Sequence, residues 1–428
     1  MQTYDCVIVG SGPAGLGAAF ELLAARPSAR ILLLERETVS SGGLRNDCKM
    51  NFTWPIGFPV EYWEKDRSAS YLDRVERFLE PEILAQKNLS TYEKRASRIG
   101  VELLMIRQSH LGTDGGLKLI KSLLARLEAS GVEVSLEEEF LSVDRAAKVA
   151  RTAKREVGYD QLIVAPGRHG FDFLRRFMKE NGITYTDNSI DVGVRVETRI
   201  EHYPIVRDYY DPKFIFPERT RTFCTNSGAA HVVQEKYVAA NGQPYYSVNG
   251  HAYSHEKPAN GLVNFAILRS VEFTHPLASG QDYAEFLAAL AMLTGGGHPI
   301  MQRIGDFRLG KRTTREGLND DLYDFIPSLP SCTPGDISLA MPAKFLRSIW
   351  KALKQLDTIV PGVLHPGTIM YYPEIKLYAN KPVFLDGNFM AAEDIYLVGD
   401  GAGTSRGITG AWASGIRAAD GIKKRKGW

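Results

Sequence analysis

The sequence predicts an α/β protein in two parts: a parallel-sheet domain built from both ends of the chain, and an inserted, mainly antiparallel β domain carrying some helices. Three observations predict it. The chain opens as strand, glycine-rich turn, helix and strand, and it closes with another strand, glycine turn and helix. Its long middle alternates apolar and polar residues between turn clusters, with many aromatics. The expected boundaries are residues 1–170 and 386–428 for the first domain and 171–385 for the second.

Taken in order, Val7-Ile8-Val9 is a short apolar strand and Leu16 to Ala25 an Ala- and Leu-rich helix. Ile31-Leu32-Leu33-Leu34 reads as a strand buried on both faces, as parallel strands are. A charged stretch, 61–98, carries Leu72, Val75, Phe78 and Leu79 at helical spacing and is expected as a helical excursion. Asp114 reads as a cap before an amphipathic helix from Leu117 to Leu127, which Gly131 ends ahead of the strand Val132-Glu133-Val134. Gln161 to Val164 is another strand, running into Ala165-Pro166-Gly167. In the middle region Gln281 to Met292 is a clear helical pattern, and Ile395 to Val398 is the last strand.

Composition narrows the function classes. Of 428 residues, 44% are hydrophobic and 24% charged, with a net charge of +2, so the charge balance calls for neither nucleic acid nor an anionic membrane. No apolar run approaches the ~20 residues a membrane span needs. The first strand begins almost at once, with no basic, apolar leader before it, and a cytoplasmic location is expected. Cys6, Cys48, Cys224 and Cys332 are far apart, suggesting neither a disulfide framework nor a zinc site.

Gly10-Ser11-Gly12-Pro13-Ala14-Gly15 sits between a strand and a helix, the context in which a Rossmann-type dinucleotide turn works. Gly10 allows the tight turn, Gly12 lets the backbone approach a pyrophosphate, and Gly15 lets helix and strand pack closely. The helix that begins at Pro13 presents free N–H groups, from Ala14 onward, and partial positive charge to phosphates. Glu35, followed by Arg36, ends the second strand about 20 residues on and is placed to accept hydrogen bonds from ribose hydroxyls while repelling a 2′-phosphate.

That opening, Ala165-Pro166-Gly167 and Gly399-Asp400-Gly401-Ala402-Gly403 together resemble the glutathione-reductase-type FAD superfamily. The resemblance implies non-covalently bound FAD, with Asp400 on the ribityl chain and Ala165 and Gly167 lining the cofactor. The helix beginning near Gly407-Ile408-Thr409-Gly410 would point its positive end at the flavin pyrimidine, where reduction places negative charge. A narrower likeness covers most of the chain. Ser41 to Lys49, Arg221 to Asn226, Tyr371 to Lys376 and Gly399 to Gly415 resemble a largely uncharacterised family of FAD-dependent dehydrogenases. One departure is that relatives often carry a Gly-Gly pair after the cysteine, where this chain has Asn226-Ser227-Gly228. Gly42 and Gly43 allow backbone approach to the cofactor, and Arg45 can bridge phosphate oxygens.

No second glycine fingerprint occurs in the middle region, so a substrate domain is expected there, the substrate lying between the two domains. Hydride transfer between a small organic substrate and flavin N5 follows, with a docking nicotinamide or a protein as the other redox partner. A flavin hydroxylase is one rival. Those enzymes follow the late Gly-Asp with Ala-Ala-His and a proline, where this chain reads Gly401 to Arg406. A flavin-stabilised binding scaffold is the other. Candidate catalytic residues are Cys224, His110, Arg406 and Tyr372, and candidate substrate contacts Lys49, Asn226, Arg312 and Tyr371. For Cys224 the alternatives are a buried structural thiol and a flavin-facing one. His169 is a further candidate for proton transfer. His251 and His255, four apart in strand-and-turn surroundings, are not taken as metal ligands.

Overall fold

The computed structural model describes all residues except 41, 47, 240–241, 254–256, 274–278 and 320–325, and describes residues 46, 169, 171 and 319 by their backbone alone. The chain forms two compact units. One comprises residues 1–83, 106–188 and 378–428, the other 84–105 and 189–377. The stretch expected as a single helical excursion is two helices, Lys65–Leu79 in the first unit and Ser90–Arg98 in the second. Glu80 ends the first of them in the left-handed region at φ 45°, and Pro81 cannot continue it.

The first unit is built on an eight-stranded sheet. Its main path runs Met390–Ala392, Ile395–Leu397, Glu156–Val164, Thr3–Val9, Ile31–Leu34, Glu133–Ser135. The four strands from Ile395–Leu397 to Ile31–Leu34 pair parallel, and Glu133–Ser135 joins them in the same sense. Parallel strands need cover on both faces. One face packs on the helices Pro13–Ala25, Gly112–Ala129, Lys65–Leu79 and Ile408–Lys426, with Leu16, Leu22, Ile120, Leu123, Trp412 and Ile416 in the core. The opposite face holds Val7, Leu32, Leu162, Leu174 and Phe177. Asp114 is not a cap: the helix starts at Gly112 with Leu111 preceding it, and Asp114 is buried in the first turn.

Register is what positions the site. Val9 lies opposite both Leu34 and Val164, and Val164 lies opposite Leu397. Four strands therefore stop at one level, and the residues that follow, Gly10, Glu35, Ala165 and Val398-Gly399, emerge along one carboxyl edge. Small residues then bring the first and last helices together. A Cβ on Gly415 would lie 1.9 Å from the Ala14 carbonyl oxygen, and one on Gly17 2.6 Å from that of Trp412.

The second unit is a second eight-stranded sheet, ordered Thr333–Pro334, Ile300–Arg303, Ile369–Leu377, Ile190–Arg199, Leu262–Val271, Thr220–Asn226, Lys213–Phe216, Glu102–Leu104. All neighbours are antiparallel except the first two. The central strand Ile190–Arg199 splits its residues by parity. Ile190, Val192, Val194 and Val196 enter an apolar core with the helices Gly280–Thr294 and Ala343–Ile359. Asp191, Arg195 and Glu197 take the other face, yet all three are buried. A separate hairpin, Ala229–Val238 with Pro244–Tyr253, belongs to this unit, and its Val232 and Val248 pack with Met301, Ile369 and Tyr371 of that face.

Candidate functional site

At the carboxyl edge of the first unit the glycine turn does what its spacing requires. Gly10 adopts φ +101°, and a Cβ there would sit 2.3 Å from the Ala165 carbonyl oxygen. A Cβ on Gly15 would lie 1.9 Å from the Gly10 carbonyl oxygen, so strand and helix meet backbone to backbone. Gly12 differs. Its backbone is extended (φ −74°, ψ −178°), and the nearest atom to an added Cβ is Ser40 Oγ at 3.8 Å. Among the described residues no atom demands glycine at position 12, and they leave the space beside it open to a ligand. Pro13 at the helix start costs no hydrogen bond there. The Glu35 carboxylate accepts from Ser11 N–H at 3.0 Å and from its hydroxyl at 2.7 Å, which holds it against the turn. Arg36 is exposed and pairs with Glu37.

The late turn closes on the same edge. A Cβ on Gly401 would lie 2.3 Å from the Gly167 carbonyl oxygen, and one on Gly399 (φ +82°) 3.1 Å from Ala14 Cβ. Asp400 accepts from Ser405 Oγ and from the Gly407 N–H, both at 2.8 Å, and Arg168 stands 3.8 Å away. Its carboxylate thus caps the turn that leads into the helix Ile408–Lys426. Thr409, in that helix's first turn, is buried and its hydroxyl has no hydrogen-bond partner among the described residues. Residues the sequence did not single out brace this turn. Arg406 N–H donates to the Gly57 carbonyl at 3.0 Å, and Trp63 Nε1 donates to the Thr404 carbonyl at 2.7 Å. Glu61 bonds Lys381; burial raises its pKa, but that lysine outweighs burial and holds the carboxyl below its usual range.

The remaining candidates fall into separate places. Gly43 packs on Ile408, 3.4 Å from Cγ1 for an added Cβ, whereas Gly42 meets nothing within 4 Å among the described residues. Arg45 lies in the short helix Gly43–Asn46 and donates to the Thr113 carbonyl at 3.3 Å. Lys49 and His110 are cross-strand partners. The exposed Arg406 guanidinium stacks 4.1 Å above the Tyr378 ring. In the second unit Arg312 is exposed. Tyr372 lies in the apolar core, its hydroxyl directed at the Ala340 carbonyl, so it faces no polar site in that unit. Tyr371, one residue earlier, points to the polar face and donates to Glu197 at 2.6 Å. Cys224 sits at φ +48° where the strand register shifts, and Asn226, fully buried, donates to its carbonyl at 3.2 Å. His251 lies on a strand opposite His231, while His255 and the motif residues Ser41 and Asp47 are outside the described residues.

The first unit's donors suit FAD. The open space at Gly12, the helix N-terminus and the unpartnered Thr409 hydroxyl can take phosphates and a flavin edge, and Glu35 and Asp400 offer carboxylates to sugar and ribityl hydroxyls. Fold and site together define a dinucleotide-binding unit of the Rossmann class. Residues 4–185, less than half of the chain, match the family model described as pyridine nucleotide-disulphide oxidoreductase. At the level of class, the chain is an FAD-dependent oxidoreductase. No curated protein matches it. Among solved structures it is similar to L-proline dehydrogenase from P. horikoshii, with TM-score 0.45, 9% identity, and 99% of this chain and 94% of that one covered. It is likewise similar to glycine oxidase from Bacillus cereus, with TM-score 0.41, 10% identity, and 99% and 95% covered. Likenesses this distant say nothing of the reaction. Among the described residues no helix is long and apolar enough to cross a membrane.

Proposed function

We propose that this chain is an FAD-dependent dehydrogenase or reductase that moves a hydride between a small organic substrate and flavin N5, holding its FAD non-covalently. The observation that carries the reading is the common register at which four strands of the first unit end, which sets Gly10, Glu35, Ala165 and Gly399 on one edge. Gly12 leaves room for the pyrophosphate, and Glu35 accepts hydrogen bonds from the adenosine ribose in place of those it now takes from Ser11. Asp400 exchanges its bonds to Ser405 and Gly407 for the ribityl hydroxyls, which frees the Gly407 N–H toward the cofactor. The start of the helix Ile408–Lys426, with the Thr409 hydroxyl, favours negative charge at the flavin pyrimidine. FAD supplies the two-electron chemistry, and the chain supplies position and electrostatics. The second unit is the substrate-bearing one in this reading, in keeping with the resemblance of the chain's motifs to the largely uncharacterised FAD-dependent dehydrogenases.

The test is anaerobic mixing of the purified holoprotein with NAD(P)H and with panels of amino and hydroxy acids, following loss of oxidised-flavin absorbance. Bleaching by one class of organic metabolite, with the oxidised metabolite as product, supports the reading. NAD(P)H consumption with oxygen and a hydroxylated product would make the chain a hydroxylase instead. Flavin that nothing reduces would leave only a cofactor-stabilised scaffold.

A further inference from the structure

The turn 403–407 decides where the last helix of the first unit starts, because the chain passes through it from the strand Ile395–Leu397 into Ile408–Lys426. Asp400 holds this turn through Ser405 Oγ and the Gly407 N–H, and Thr404 Oγ1 donates to the Gly399 carbonyl at 3.2 Å. In the proposed reading Asp400 gives up both of its bonds to the ribityl hydroxyls. The turn then needs other anchors while its helix start faces the flavin.

A stretch far away in sequence, residues 55–63, supplies them. Its backbone folds on itself, with the Phe58 N–H on the Pro55 carbonyl at 3.0 Å and the Trp63 N–H on the Pro59 carbonyl at 3.1 Å. The Gly57 carbonyl accepts from the Arg406 N–H at 3.0 Å. Gly57 is at φ +88°, and a Cβ there would stand 2.7 Å from the Arg406 carbonyl oxygen. A Cβ on Gly410 would stand 2.1 Å from the Gly57 oxygen, so the stretch also touches the first turn of the helix. Trp63, buried, donates its indole N–H to the carbonyl of Thr404, itself fully buried, at 2.7 Å.

Trp63 is held in turn. Phe58 and Tyr71 meet its ring edge-on, at 5.0 and 5.4 Å between centroids. The Arg417 guanidinium lies over the ring, 4.6 Å from its centroid, and Nη1 donates to the Tyr62 carbonyl at 2.7 Å. Arg417 belongs to the helix whose start the stretch braces, so the helix is tied to this stretch at its first turn and again further along. None of these bonds involves Asp400, and none is lost when Asp400 turns to a ribityl chain.

We infer that Trp63 and Gly57 are positioning residues for the flavin end of FAD. They fix the turn 403–407, and through it the N–H groups at the start of Ile408–Lys426, toward the flavin pyrimidine. Donors fixed in advance stabilise charge that develops later without a cost of reorganisation. Reduced flavin, which carries that negative charge, depends on them more than oxidised flavin does. The inference rests on the proposed reading, in which this chain holds FAD with Asp400 on the ribityl chain.

The experiment measures FAD affinity and the flavin midpoint potential in the parent, Trp63→Phe, Gly57→Ala and Tyr71→Phe. Trp63→Phe removes the bond to Thr404, and Gly57→Ala pushes on Arg406. Packing lost with the indole is lost with or without cofactor, so it cancels from both readings. Trp63→Phe and Gly57→Ala are each expected to weaken binding of reduced FAD about tenfold or more beyond that of oxidised FAD, which lowers the midpoint by about 30 mV or more. Tyr71→Phe is the control: it keeps its ring on Trp63 but loses a bond to Asp420 at 3.0 Å, so it should unfold at a lower temperature with an unchanged midpoint. A folded variant that no longer holds FAD supports the inference if it binds ADP as the parent does, and overturns it if ADP binding falls too. The inference is also overturned if either variant holds FAD at the parental midpoint or a higher one, or if Tyr71→Phe shifts the midpoint as far. If neither Trp63→Phe nor Gly57→Ala folds, the stretch serves the fold alone and the inference fails. Parent protein that takes up no FAD would overturn the proposed reading and this inference with it, whereas variants that hold FAD at an unshifted midpoint fault this inference alone.

Discussion

Gly12→Ala separates what the fold needs from what the cofactor needs. Among the described residues an added methyl meets only Ser40 Oγ, at an ordinary 3.8 Å, and the backbone at φ −74° and ψ −178° accepts any residue. Removing glycine's freedom in the unfolded chain stabilises by about 0.4–1 kcal/mol, so the cofactor-free variant should be as stable as the parent or slightly more so. FAD affinity should move the other way. The methyl occupies the space through which phosphate oxygens reach the helix N–H groups, and losing one charge-assisted hydrogen bond costs about 1.5–3 kcal/mol, or about a 10- to 150-fold weaker Kd. Gly15→Ala is the contrast. Its methyl would lie 1.9 Å from the Gly10 carbonyl oxygen, so the turn itself must shift and the cofactor-free fold loses stability. The assay is paired: thermal unfolding of deflavinated protein, and titration with FAD by fluorescence quenching. A Gly12→Ala variant that binds FAD as tightly as the parent would refute the placement of the pyrophosphate.

Three further outcomes are expected. Asp400→Ala should release FAD during dialysis, read as flavin absorbance per protein, and full retention would contradict the ribityl role. For Glu197, burial raises the carboxyl pKa, so the stability it contributes is fully present below the unfolded value of about 4.3 and is lost as pH rises through the folded value. Glu197→Gln should therefore gain on the parent between pH 4 and pH 8 in unfolding experiments, and a gap that stays flat with pH would contradict this. For Asp420, burial raises the pKa but Arg74 and Lys423 outweigh it, so the folded pKa is lowered and the stabilisation, present above the unfolded value of about 3.9, is lost as pH falls through the folded one. Asp420→Asn should cost on the order of 1 kcal/mol at neutral pH, a deficit that closes in acid, and a deficit unchanged at pH 2 would contradict it.

The first unit was legible because its signals are local. A glycine fingerprint, two apolar parallel strands and a late Gly-Asp turn each announce themselves within a few residues. What the sequence did not show was how they meet. That Gly401 abuts Gly167 and Gly10 abuts Ala165 depends on strand register across the whole chain. The braces at Gly57 and Trp63 were missed because they act through the backbone oxygen of one and the indole N–H of the other, neither of which has a sequence pattern. Tyr371 and Tyr372 could not be told apart by composition, and only strand parity sends one to Glu197 and the other into the core. The charged alternation Asp191, Arg195, Glu197 was visible in the sequence and reads on a strand as one polar face. Its burial was not visible, because the hairpin that packs with that face is a contact between distant residues.

The most direct test of the account is the flavin content of the freshly purified chain. One FAD per chain, released intact on denaturation and diminished in Glu35→Ala as in Asp400→Ala, is the predicted result. Colourless protein that takes up no added FAD would contradict the convergence of the glycine turn and the Gly-Asp turn on a single coenzyme.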